Sequence, residues 1–311
     1  MKNKTAVIIG VTGQDGSLLS SLLLKKRYKV IGTTTSNKTK SLKKLNILNK
    51  IDLIFKKKYN QIFFRNLLNR KHVKEVYFFS GQSSVSKSEK LNHTTLDSNL
   101  DPLIDLLEVL RKNKKKIKLI NAVSSEMFGN SKKKINEMSK LNPESFYGLA
   151  KCISFEISKS YRSQFGINIC NLILFNHESN LRPPNFVIRK LVSEVKKIKQ
   201  NKNFKKKIIV GNINIKRDWG YAKEYVAFMN KVAKSKFCDD YIVATGKTYK
   251  LKDVINKLFE HNKLNIKNNL EISPKYFRKN EIVQNYADIS KIKKTFKWQP
   301  KQNILKFITD L

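Results

Sequence analysis

The chain has three cysteines, Cys152, Cys170 and Cys238, too few, too widely spaced and odd in number for a disulfide framework or a thiolate metal site. They read as isolated, buried thiols, and no metal centre is expected. A run of about 18 apolar residues able to span a membrane is lacking, and no apolar signal segment follows Met1-Lys-Asn-Lys4. A cytoplasmic protein without a membrane partner is the expectation. Internal repeats and long linkers are absent too, so 311 residues, 40% of them hydrophobic, suit one large or two smaller domains with a substantial core. Acidic residues are scarce: 24 Asp and Glu face 64 Lys and Arg, a formal net charge of +40. Such an imbalance raises nucleic-acid binding. The lysines, however, fall in short clusters along the whole chain (56–58, 114–116, 132–134, 205–207) amid abundant Asn and Ile. That is the pattern of an AT-rich coding bias written onto solvated surfaces. Weak, salt-sensitive attraction to polyanions is expected, and no dedicated nucleic-acid site.

What is present is a set of ordered motifs. Gly10-Val11-Thr12-Gly13-Gln14-Asp15-Gly16 follows the apolar run Ala6-Val-Ile-Ile9 and opens into Ser17-Leu-Leu-Ser-Ser-Leu-Leu-Leu24. A strand, a glycine turn and a helix start make a cradle for a dinucleotide pyrophosphate, because the glycines let the backbone approach and the free N–H groups face the anion. Far downstream stands Tyr147-Gly-Leu-Ala-Lys151. Positions four apart share a helix face, so both side chains can address one reacting centre. An ammonium beside a phenol favours the phenolate and brings the tyrosine into range as a general base.

Apolar runs at 6–9, 29–32, 51–55, 75–79, 118–122 and 169–174 read as strands, and 17–26, 61–69, 100–112 and 147–165 as helices. Alternation of this kind specifies an α/β fold, a Rossmann-type doubly wound parallel sheet. After Phe175 the pattern loosens: Arg182-Pro-Pro184 breaks the chain and a basic helix at 186–200 follows. We expect a smaller, discontinuous α/β substrate lobe from 173–212 and 247–311, with 1–172 and 213–246 forming the dinucleotide-binding domain. At the end of the second strand an acid would bind the ribose hydroxyls of NAD and repel a 2′-phosphate. The stretch there is Thr33-Thr-Thr-Ser-Asn-Lys38, with no acid and several donors. NADP is favoured over NAD.

An N-terminal glycine turn, Ser124 and Ser125 closing a later strand, and the Tyr147/Lys151 pair some twenty residues on resemble the short-chain dehydrogenase/reductase arrangement. Leu174-Phe-Asn-His-Glu-Ser179, Phe186-Val-Ile-Arg-Lys190, Lys216-Arg-Asp-Trp-Gly220, Tyr241-Ile-Val-Ala-Thr-Gly246 and Tyr276-Phe-Arg-Lys-Asn-Glu281 narrow this. Together they resemble the GDP-mannose 4,6-dehydratase family along nearly the whole chain. The resemblance implies a catalytic set of Ser124, Glu126, Tyr147 and Lys151. Tyr147 takes the proton of the hexose 4-hydroxyl. Glu126 removes the carbon 5 proton once carbon 4 is a ketone, then protonates the departing 6-hydroxyl, aided by Ser124.

The resemblance also implies a tightly bound NADP, recycled within each turnover. To it fall the whole Gly10–Gly16 turn, Thr35 and Lys38, then Phe79, Ser80, Gly81, Gln82 and Ser83, and finally Lys151, His177 and Arg182. The arginine pair usual in the family's second-strand loop is absent here, so the preference for NADP over NAD is expected to be modest. Asn176, Lys190, Arg217, Arg278 and Glu281 are implied at GDP-mannose or a related nucleotide sugar, and the assembly as a homodimer or homotetramer. Glu126 separates the alternatives. A dehydratase acting on another nucleotide sugar, the nearest alternative, keeps it; a 4-keto reductase or epimerase acting on another nucleotide sugar can dispense with it, and a nonenzymatic nucleotide- or RNA-binding Rossmann protein needs none of the four catalytic residues.

Overall fold

The computed structural model of the chain describes residues 4–200, 207–277 and 280–311. Seven strands form one sheet in the order Asp240–Val243, Ile169–Leu174, Lys118–Ser124, Val73–Phe78, Thr5–Ile9, Lys29–Thr34, Asp52–Phe55. From Ile169–Leu174 to Asp52–Phe55 every neighbouring pair is parallel, with Ile8 beside both Gly32 and Tyr77. Thr5–Ile9 and Ile169–Leu174 are buried at every residue. Strands covered on both faces are written as continuous apolar runs, which is why the sequence announces them. The strand order turns back beside Thr5–Ile9, the crevice position at which open α/β sheets take ligands.

The helices Gln14–Lys25, Gln61–Asn69, Asn92–Lys112, Phe146–Phe165 and Ala222–Lys234 accompany this sheet. Phe64, Leu67 and Leu68 of one and Leu103, Leu106 and Leu107 of another close over Val7, Ile9, Val76 and Phe78. Each such side chain contributes roughly 1.5–3 kcal/mol of transfer free energy on burial. The helix expected from residue 100 begins instead at Asn92. Its polar first turns carry no apolar period and Pro102 lies inside it, so tertiary contacts of the buried Thr95 and Asn99 define its start.

Two compact units result. One comprises residues up to Met127, Ser145–Leu174 and Ala222–Tyr241; the other comprises Phe128–Glu144, Phe175–Tyr221 and Ile242–Leu311. The sequence division keeps 128–144 with the dinucleotide-binding part, whereas this segment groups with the second unit. Lys134–Ile135 pairs with Tyr286–Ala287, and the Asn130 side chain binds the backbone of Glu281, Val283 and Gln284. Contacts so distant in sequence leave no local signal. Within the second unit, Ile188, Leu191, Val192 and Val195 of the helix Val187–Gln200 meet Trp219, Phe259 and Phe307 in a separate core. Among the described residues no helix is long and apolar enough to cross a membrane, and no His/Cys/Asp/Glu group is arranged to hold a metal.

Candidate active site

The glycine turn is built by close approach. Gly10 has φ +87°, and a Cβ there would stand 2.9 Å from the carbonyl carbon and oxygen of Phe79. A Cβ on Gly16 would meet Gly10 O at 2.5 Å and Val11 Cα at 2.7 Å, so a glycine there lets the helix Gln14–Lys25 start directly against the strand it follows. Ser17 Oγ donates to Val11 O at 3.0 Å and the hydroxyls of Thr12 and Thr34 lie 3.1 Å apart, fixing the turn from beneath. Gly13 is the N-cap, and no side chain caps the helix start. A Cβ at Gly13 would touch only Gly10 O, at 3.4 Å. A helix N-terminus that no side chain caps fits a pyrophosphate.

At the end of the second strand, two of the expected donors turn out to be occupied. Thr33 shares a hydrogen bond of 3.0 Å with Tyr59, and Thr34 donates to Ser36 O at 3.0 Å. Thr35 and Lys38 are exposed. Beyond the fourth strand, Phe79 N donates to Ile9 O at 2.9 Å. Gln82 is held by its backbone N–H to Ser98 Oγ, 3.1 Å, and by its amide to Ser84 O and Thr95 Oγ1, 2.9 and 3.2 Å. Ser83 beside it is exposed. Asn99 completes the support, donating to Gln82 O at 3.1 Å and Thr95 O at 2.8 Å. A Cβ on Gly81 would collide with its side chain. Sequence reasoning missed Asn99, which has no motif around it.

The catalytic candidates share the first unit. Ser124 ends its strand, and its hydroxyl accepts from Glu126 N at 3.3 Å as the chain turns into a short 3-10 segment, Ser125–Phe128. Glu126 is half-buried. The helix Phe146–Phe165 opens on Ser145, whose hydroxyl caps Gly148 N at 3.0 Å, and closes on left-handed Gly166. Tyr147 therefore sits in the first turn, at the positive end of the helix dipole. Lys151 lies one turn later. Its Nζ donates to Ala122 O at 3.1 Å and is 6.0 Å from the Tyr147 ring centroid. One ammonium thus ties the strand that ends in Ser124 to the tyrosine. Burial pulls the Lys151 pKa down to about 8, which still leaves it roughly nine-tenths charged at pH 7. That charge and the helix start both favour the Tyr147 phenolate.

The remaining candidates lie in the second unit. Asn176–Glu178 pairs in parallel with Trp219–Tyr221, setting Asn176 beside Trp219 and His177 beside Gly220. His177 Nδ1 lies 2.7 Å from Phe175 O, which puts a proton on that nitrogen. Arg182 stacks on Phe186, 3.8 Å from the ring centroid, with Nε 3.8 Å from Glu178 Oε1. Arg217 and Glu281 are brought together at 3.5 Å. Lys190 is engaged elsewhere, by Ile209 O at 2.7 Å and the Tyr276 ring at 5.3 Å. Arg278 lies outside the described residues. Asp218 holds the adjoining turn: its carboxylate accepts from Thr245 N, Thr245 Oγ1 and Gly246 N at 3.0, 2.8 and 2.7 Å. Burial nevertheless raises its pKa to about 6.

Comparison with known proteins adds the family. The sequence model of GDP-mannose 4,6 dehydratase matches residues 7–311. GDP-mannose 4,6 dehydratase 1 of Arabidopsis thaliana is 34% identical over 318 residues, covering 98% of this chain and 88% of its own length. GDP-mannose 4,6-dehydratase of Vibrio cholerae is 34% identical over 267 residues, 82% of this chain and 71% of its own. Among solved structures, the UDP-glucose 4-epimerase of Thermotoga maritima with UDP-glucose superposes at TM-score 0.86 and 18% identity, covering 98% and 96% of the two chains. A dTDP-glucose 4,6-dehydratase of Streptomyces venezuelae with NAD does so at 0.85 and 16%, covering 98% and 95%. At that identity these two speak for the fold alone.

Proposed function

The chain belongs to the GDP-mannose 4,6-dehydratase family, and from that premise we propose that Ser124, Glu126, Tyr147 and Lys151 carry the dehydration of GDP-mannose to GDP-4-keto-6-deoxymannose. The enzyme is a hydro-lyase. The observation that carries the residue assignment is Lys151, hydrogen-bonded to Ala122 O and set beside the Tyr147 ring, with the Glu126 carboxylate just beyond the same strand. A nicotinamide dinucleotide bound at the glycine turn supplies a temporary two-electron acceptor, so that oxidation at carbon 4 and reduction at carbon 6 cancel within a turnover.

The protein's own part is proton handling. Tyr147, whose phenolate form the Lys151 ammonium and the helix start would stabilise, takes the proton of the 4-hydroxyl. The resulting ketone acidifies the neighbouring carbon 5 position, and Glu126 removes that proton. The carboxyl group so formed protonates the 6-hydroxyl, which leaves as water, and the proton held by Tyr147 returns to carbon 5, so that both groups end the turnover as they began it. Ser124 steadies the developing charge through its hydroxyl. Arg217 and Arg278 meet the diphosphate, and Asn176 binds the sugar or its first phosphate; Lys190, held by Ile209 O and the Tyr276 ring, takes no part in that contact. Glu281 positions Arg217 through their contact.

The test is incubation with GDP-mannose and a small amount of NADP, without added reductant. Product is expected to exceed cofactor many-fold, with no lasting absorbance from reduced nicotinamide. One reduced cofactor per product molecule overturns dehydration in favour of simple oxidation.

NADP is the proposed cofactor because Thr33–Lys38 presents no acid to a 2′-phosphate while Thr35 and Lys38 stand exposed. With Thr33 and Thr34 already engaged, one charge-assisted hydrogen bond from Lys38, worth roughly 1.5–3 kcal/mol, sets the preference. Titration of cofactor-free protein is expected to show NADP bound at least about tenfold more tightly than NAD. Equal affinities would mean that this loop does not read the phosphate.

A further inference from the structure

Cys170 and Cys238 are not isolated, as their spacing suggests, but meet in the first unit. Cys170 is the second residue of the buried strand Ile169–Leu174, and Cys238 lies just before Asp240–Val243. Cys170 Sγ is 3.0 Å from Phe237 O, the carbonyl next to Cys238, and Cys238 Sγ is 3.7 Å from Asn168 Oδ1, two residues before Cys170, so each sulfur lies against the other's chain neighbour. The Cys170 S–H donates to that carbonyl.

The turn bearing Cys238 is clamped. Lys118, only 8% exposed, donates from Nζ to Ser235 O at 2.8 Å, Ser235 Oγ at 3.4 Å and Phe237 O at 2.6 Å. On its other side Arg162 grips Asp240 with two hydrogen bonds, 2.7 and 2.8 Å. These two cations flank the sulfurs. The neighbouring Cys170 thiol and the charges of Lys118 and Arg162 pull the Cys238 thiol below its ordinary value against the effect of burial. The neighbouring Cys238 thiol, reinforced by burial, pushes Cys170 upward. Cys152 has no such surroundings, and burial with Glu156 nearby raises its thiol.

We propose that Cys170 and Cys238 form a reversible disulfide in response to hydroperoxides, Cys238 reacting first and Cys170 resolving. The Cys238 thiolate attacks the peroxide, the O–O bond breaks, and a sulfenic acid forms as water or an alcohol leaves. The Cys170 sulfur then attacks that sulfur, the S–O bond breaks, the S–S bond forms, and a second water leaves with the Cys170 proton. Two thiols lose two electrons and one hydroperoxide gains them. Partial exposure of Cys238 gives the oxidant access, while the buried Cys170 is protected from direct attack.

The test treats the full chain with hydrogen peroxide, blocks remaining thiols and maps peptides without reduction. Expected are a Cys170–Cys238 linked peptide, two hydrogens lighter than its separate thiol peptides, and an unmodified Cys152. Dithiothreitol should reverse the link. At pH 7, iodoacetamide should label Cys238 at least about tenfold faster than Cys152. Cys238→Ser should abolish both the link and the fast labelling; Cys170→Ser should leave Cys238 as a sulfenic acid captured by dimedone. If wild-type protein oxidises at Cys152 first, or carries Cys238 to the sulfinic acid with Cys170 still free, the proposal fails, whether or not the variants fold.

Discussion

Glu126→Gln lowers formation of the 4-keto-6-deoxy product by about 10²–10⁴-fold, the range expected when a positioned acid–base group is lost. Glutamine keeps the shape, and the backbone bond from position 126 to Ser124 Oγ does not depend on the side chain. What disappears is the ability to accept the carbon 5 proton and return it to the 6-hydroxyl. A single turnover of this variant should therefore still show transient reduced nicotinamide, while exchange of the carbon 5 proton with deuterated solvent stops. Tyr147→Phe should remove the transient as well, since the 4-hydroxyl then has no base. A Gln variant that dehydrates at near wild-type rate would leave Glu126 a structural residue.

Gly16→Ala is expected to lower Tm by roughly 5–10 °C and to weaken cofactor binding at least about tenfold. The added carbon would press on Gly10 O and Val11 Cα at 2.5 and 2.7 Å. Those are backbone atoms that no rotamer can move aside, so turn and helix must separate, at a cost of about 1–3 kcal/mol or more. Gly13→Ala makes the contrast. Its Cβ meets Gly10 O at an ordinary 3.4 Å, so Tm should hold while the methyl group intrudes where the pyrophosphate is proposed to sit. Calorimetry with cofactor titration on both variants checks the pair. A Gly16→Ala protein as stable as wild type would show that the turn tolerates separation.

The parts written in short-range pattern were legible in the sequence. Six strands of the central sheet declared themselves because burial on both faces demands unbroken apolar runs, and Tyr147 and Lys151 because four residues make one helical turn. The return of 213–246 to the dinucleotide-binding part was expected, and Ala222–Tyr241 does group there, but the helix Ala222–Lys234 and the strand Asp240–Val243 were not read as elements, because after a long excursion nothing local marks their bounds. Asn99 under the 80–84 turn and Asn130 against Val283 escaped for a related reason, since an amide side chain gives no hint of which distant backbone it will bind. The inward hydroxyl of Thr33 follows from Tyr59, a partner no motif predicts. The Cys170–Cys238 meeting was likewise hidden by sequence distance.

The same return of the chain decides when this protein can finish folding as it leaves the ribosome. Six strands of the sheet have emerged once Leu174 is out, yet Ile169–Leu174 must wait with an open edge until Asp240–Val243 is synthesised. Meanwhile the second unit has already needed Phe128–Glu144, made before the first unit is complete. Neither unit can close in strict N-to-C order, so assembly is deferred to a late stage of synthesis, with an apolar edge available to neighbouring nascent chains. Asn171 moderates that hazard. Its amide, which will donate to Asp240 at 2.9 Å, is a polar group on the waiting strand that rewards the correct partner and penalises an apolar substitute.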